Sequence, residues 1–175
     1  MQYQDCIAPA QPADGPRAGA TADARRLADA NINPATGLAT DYLNHFNEAI
    51  MLLEMLSSFP DCLAEFNAWR PKSYRQHFNA SRFIGRDLAI AAYDAADPAV
   101  RERLETLAGA MNGVLEATRA ALMTGMPTDA AGDIAGRAAA LLRPIAARTG
   151  ALINGNADTV PTGTPQAVID GLMKT

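Results

Sequence analysis

Asp41, His45 and Glu48 are spaced i, i+4 and i+7 within DYLNHFNEAIMLLEML (41–56), so a helix would set all three on one side. His45 falls inside that helix's apolar arc, and the two carboxylates fall at its edge. The other histidine, His77, lies near the middle of a second apolar stripe, Tyr74, His77, Ser81, Ile84, Leu88, Ala91 and Ala95. Two imidazoles with one or two carboxylates are the ingredients of a mononuclear metal site with open positions. The same groups would suit a ligand pocket lined by Tyr42, Tyr74 and Ser81, with a histidine as general base. A dimetal carboxylate site is not expected. The chain lacks the Glu-x-x-His pairs such bundles use, and Glu102, Glu105 and Glu116 fall on the outer side of their helix. Phosphotransfer through His45 is also disfavoured, because HFNEAI is unlike the His-Glu or His-Asp boxes of histidine kinases. The simplest account is that the histidines are hydrogen-bonded and packed. On that account His45 reads as structural, and His77 is the better candidate for an inward-facing site.

A second constellation lies outside. Arg75, Asn79, Arg82 and Arg86 make a basic line along one helix, extended by Arg70 and Lys72. It reads as a solvated face, or more sharply as a surface for an acidic or phosphorylated protein partner. The same helix has an off-face apolar pair, Phe83 and Ile90, opposite the His77 stripe. Met51 and Met55 likewise fall outside the apolar arc of the helix that carries His45. A helix apolar on two sides is central in its bundle or sits at a subunit interface. A homodimer is therefore expected, two-fold association being the commonest oligomer.

Other signals carry little. Asn79-Ala-Ser81 matches a glycosylation sequon, but it falls inside a helical pattern. No Walker loop, Gly-x-Gly-x-x-Gly, Gly-x-Ser-x-Gly or Cys-x-x-Cys occurs. Cys62 follows Pro60 at a helix start, with partial burial beside Leu63 and Phe66 as its expected role.

The elements that must position these residues are helical. Apolar residues make up 49% of the chain but aromatics only 6%, and an Ala/Leu-rich mixture favours closely packed helices over a sandwich. Helices are expected at 21–31, 42–58, 60–69, 73–95, 98–123 and, after a turn at 125–129, up to about 154, with a short last one opened by Thr164-Pro165. Ser73 and Gln76 fit a capping box, and Asp97-Pro98 supplies an N-cap and an N1 proline. Gly109, Gly113 and Ala117 should admit a neighbouring helix, and Pro144 should kink or split its own.

The expectation is an all-α helical bundle of four long helices with short flanking ones. Residues 1–33 form an arm that is disordered or partner-bound, 34–155 the bundle, and 156–175 a loop and short helix packed on it. The net charge of −4 argues against nucleic acid. No apolar run is long enough for a membrane, and two cysteines without metal spacing fit the cytoplasm. The leading expectation is a non-enzymatic interaction module. Its alternative is a metal- or small-ligand-binding bundle around His45 and His77. No cofactor is expected beyond the single metal ion that this alternative allows. Whether the two imidazoles meet decides between them.

Overall fold

The computed structural model describes residues 18–156, and the protein is all-α. Seven helices run through these residues. They are α1 (Ala18–Asp29), α2 (Tyr42–Met55), α3 (Cys62–Ala68), α4 (Tyr74–Ala80), α5 (Arg86–Ala95), α6 (Pro98–Leu122) and α7 (Thr128–Ile153). A small hairpin, β1 (Ile32–Asn33) with β2 (Leu38–Ala39), precedes α2. The expected last helix and the first part of the N-terminal arm lie outside the described residues.

α6 and α7 pack on each other across the turn at 123–127, and α2 lies against α7. The expected stripe of α2 is the buried one: Tyr42, Phe46, Ala49, Ile50, Leu53 and Leu56 all lie in the core. Leu104, Met111 and Leu115 of α6 and Leu142 and Ile153 of α7 complete it. Pro144 sits inside α7 and does not split it. Glu54 and Arg143 meet in a two-pronged ion pair at 2.7 and 2.8 Å across the α2–α7 seam.

Four long helices are not what forms. The segment 73–95 is two short helices, because the chain leaves the helix at Ser81 and re-enters at Arg86. The Ser81 hydroxyl donates to the Phe78 carbonyl at 3.0 Å and accepts from the Phe83 amide at 3.3 Å. Such local bonds compete with helix continuation. The break shifts the helical phase, so Ala89 and Tyr93 are buried in α5 while Ile84 is fully exposed. Ser73 closes its capping box with Gln76 at 2.9 and 3.3 Å.

The hairpin is pinned to three helices. The Thr36 hydroxyl donates to the Ile153 carbonyl at 2.7 Å, and the Ala39 amide donates to the Tyr74 hydroxyl at 2.8 Å. Gly37 has φ +69°, and a Cβ there would stand 2.7 Å from the Ala92 carbonyl oxygen. Only glycine suits both the left-handed backbone and that approach.

Asp97 caps α6 by accepting from the Ala99 amide at 2.8 Å. Asp97→Ala should lower stability by about 1 kcal/mol, read from urea melts at pH 7. An unchanged midpoint would show that Pro98 alone sets the start of α6.

Candidate functional site

His45 rides on α2 and His77 on α4, and the two helices bring their ring centroids to 5.9 Å. The long connection between them runs through α3, whose end delivers Trp69. Trp69 lies flat on His45, with centroids at 4.5 Å and planes 21° apart, and its indole N–H donates to the His45 carbonyl at 3.1 Å. Arg119 of α6 holds this end of α3 in place. Its guanidinium donates to the Trp69 carbonyl at 2.8 Å and covers the Phe66 ring.

His77 is reached from the other side by Tyr42, ring edge to ring at 5.7 Å. The Tyr42 hydroxyl donates to the Lys72 carbonyl at 3.0 Å, which fixes the segment leading into α4. Tyr74 follows, tilted on Tyr42 at 5.2 Å and stacked on Tyr93 of α5 at 4.6 Å. Tyr93 donates to Glu105 of α6 at 2.6 Å. A continuous aromatic layer thus runs from Trp69 through both histidines to Tyr93.

The electrostatics favour neutral imidazoles. Burial first, then the Lys72 and His77 charges, push His45 down to about 4, against a backbone hydrogen bond at Arg70. His77 is lowered by burial and Lys72, while the Asp41 charge and a backbone hydrogen bond at Asp41 oppose the shift. Burial pushes Tyr42 up to about 12, helped by Tyr93 and Glu105. The Tyr93 phenol is raised to about 12 by burial and then by Glu105. Tyr74 is raised as well, chiefly by burial.

One atom in this layer is unusual: His45 Nε2 is buried and has no hydrogen-bond partner. A buried polar atom left without a partner is costly in a folded protein and asks for a reason.

Of the sequence-derived site residues, His45, His77, Tyr42 and Tyr74 come together. Asp41 joins at the edge, with its carboxylate accepting from the Asn31 amide at 2.9 Å. Glu48 is exposed, and Ser81 terminates α4 instead of lining a pocket. Among the described residues no group of three or more His, Cys, Asp and Glu side chains gathers to hold a metal ion. Trp69, Lys72, Tyr93 and Glu105 were not anticipated as parts of the site. The capping box at Ser73 marks where α4 begins, but neither Lys72 nor the single tryptophan carries a local marker of its place in the site.

The outer surfaces need correction. Phe83 and Ile90 are not an exposed pair: both pack part-buried against the core, Phe83 on the Phe78 ring at 5.5 Å. The basic line is broken with its helix. Arg82 falls in the break, Arg75 pairs with Asp94 at 2.6 Å, and Arg86 lies 3.6 Å from Asp87. Gly109 and Gly113 admit no neighbouring helix, since nothing stands within 4 Å of a Cβ built at either. No helix among the described residues is long and apolar enough to cross a membrane.

Comparison with protein-family models, with curated proteins and with solved structures finds no match to this chain.

Proposed function

We propose that this chain is a ligand-binding helical bundle whose site is the His45–His77 pair with the tyrosines beside it. The observation that carries this reading is the convergence of the two histidines, 5.9 Å apart. Neutral imidazoles offer lone pairs to a metal ion or to a hydrogen-bond donor. His45 Nε2, buried and unpartnered, is the atom a bound group would satisfy. The surfaces that the interaction reading relied on, Phe83 with Ile90 and the basic line, have lost that support.

Native mass spectrometry of the untagged chain, purified without chelator or added metal, tests the proposal. A stoichiometric extra mass that disappears in His45→Leu and in His77→Ala is the expected result. A bare polypeptide mass in wild type, or an extra mass indifferent to both substitutions, overturns it.

Self-association stays as a second reading on a different surface. Met51 is 50% exposed, Phe59 57% and Met123 70%, large apolar side chains that water covers in the single chain. The same spectrum reads subunit number, and a monomer at micromolar concentration would remove this reading. The expected compartment is the cytoplasm, and an acidic partner is no longer favoured.

A further inference from the structure

Three rings stand beside His45: Phe46, Trp69 and His77. The phenyl ring has no lone pair, and the Trp69 indole nitrogen only donates, here to the His45 carbonyl. His77 is therefore the one ring of the three that can share an electron-pair acceptor with the orphaned Nε2 of His45. The opposite nitrogens are already engaged. The Arg70 carbonyl takes a hydrogen bond from the His45 ring, and since Nε2 is unpartnered the donor is Nδ1. The Asp41 carbonyl takes one from the His77 ring in the same way. A ring N–H held by a backbone carbonyl fixes the tautomer and leaves the other nitrogen as a lone pair, the arrangement that metal-binding histidines use.

The spacing selects the coordination. With a metal–nitrogen bond of about 2 Å and each nitrogen about 1.1 Å from its ring centre, one shared ion sets the centroids about 6 Å apart when its bonds are collinear and about 5 Å apart at a tetrahedral angle. The observed separation is 5.9 Å, close to the collinear limit. The donor count agrees, because among the described residues no third His, Cys, Asp or Glu gathers with the pair. Zinc takes four ligands, and calcium or magnesium about six or more, mostly oxygen. Two neutral nitrogens in line suit a closed-shell monovalent ion, of which copper(I) is the one available to a cell. Trp69 lies flat on His45 and holds that ring in place, while the part-buried His77 leaves a way in.

We infer that His45 and His77 bind one copper(I) ion between them in near-linear, two-coordinate geometry. The inference rests on the ligand-binding reading above and names its ligand. The Lys72 charge bears on both rings, and it penalises a divalent ion about twice as much as a monovalent one. It also gives the site a signature: removing that charge should strengthen a bound cation and weaken a bound anion.

The test uses the full chain with Cys6→Ser and Cys62→Ser, so that neither thiol competes. Copper(I) is titrated without oxygen against bicinchoninate, zinc(II) is titrated in parallel, and the copper site is read by X-ray absorption. One copper(I) per chain is expected, held by two nitrogens at about 2 Å and about a hundredfold or more tighter than zinc(II). His45→Leu and His77→Ala should each abolish that binding, and Lys72→Met should tighten it about threefold or more. His77 is part-buried and Lys72 exposed, so these two variants should keep the fold even if His45→Leu does not. Absent copper(I) uptake, zinc(II) bound as tightly, copper(I) retained by His77→Ala, or weaker binding in Lys72→Met overturns the inference. If copper(I) fails while the purified chain carries another mass that His45→Leu removes, only the choice of ligand has failed. If neither copper(I) nor any such mass is found, the ligand-binding reading fails with it.

Discussion

Acidification from pH 6.5 to 4 should cost the folded state about 3 kcal/mol through His45 alone. The imidazole is 4% exposed and stacked under Trp69. Its pKa falls from the ordinary 6.5 to about 4, mainly by burial and then by the Lys72 and His77 charges. A base whose pKa is lower folded than unfolded holds fewer protons in the folded state. The unfolded chain takes up its proton first, near 6.5, and stability drains away until the folded imidazole also protonates near 4. Above 6.5 the full stability is present. His77 adds to the loss in the same direction, tempered by Asp41.

Urea melts of wild type and His45→Leu at pH 7, 5.5 and 4.5 isolate the effect. The exposed pairs Arg75–Asp94 and Glu54–Arg143 are common to both proteins, so what they contribute cancels in the comparison. The substitution itself loses the stack on Trp69, so the variant starts lower at pH 7. The gap between the two should narrow by most of 3 kcal/mol as pH falls. Parallel lines, with the same gap at every pH, would mean that His45 already titrates near its free value.

Where one stretch of chain set its own geometry, the sequence was readable. Ser73 and Gln76 form their capping box because both partners lie within four residues, and Asp97-Pro98 starts α6 for the same reason. The α2 stripe was legible because an unbroken helix preserves its period from Tyr42 to Leu56. The 73–95 segment failed on phase. Ser81 ends one helix and Gly85 precedes the next, so a wheel drawn through both put Ile84 inside and Phe83 outside, the reverse of what packing requires. Small residues on α6 looked like a helix–helix contact, yet Gly109 and Gly113 face open space, because a stripe of small residues does not say which side its partner occupies. The histidines were found by type and by position on their wheels. Their convergence depended on the turn of α3 and on the corner at Lys72, neither of which any local pattern encodes. The hairpin was missed outright: two-residue strands leave no alternation to detect, and they are held by distant groups such as Ile153 and Tyr74.

Trp69→Ala should be the most damaging single truncation in the site, costing about 3–5 kcal/mol. The indole is 7% exposed and packs into the corner where α2 and α3 meet. It stacks on His45 of α2, tilts on Phe46 at 6.3 Å, donates to the His45 carbonyl, and follows a helix anchored to α6 by Arg119. Its removal leaves a void that neither the short α3 nor the corner at Lys72 has the side chains to fill. Water entering that void would reach the His45 ring, and its pKa should climb back toward 6.5.

The two losses are therefore coupled. In a double-mutant cycle, Trp69→Ala combined with His45→Leu should cost less than the sum of the single changes, as expected for side chains in direct contact. If the alanine variant does not fold, Trp69→Phe keeps a ring on the imidazole and loses the indole N–H and the second ring's bulk, at a smaller cost of about 1–3 kcal/mol. Additive costs across the cycle, together with an unmoved His45 pKa in Trp69→Phe, are also informative. They would mean that the indole supports α3 alone and that burial by α2 and α4 is enough to keep the histidine pair neutral.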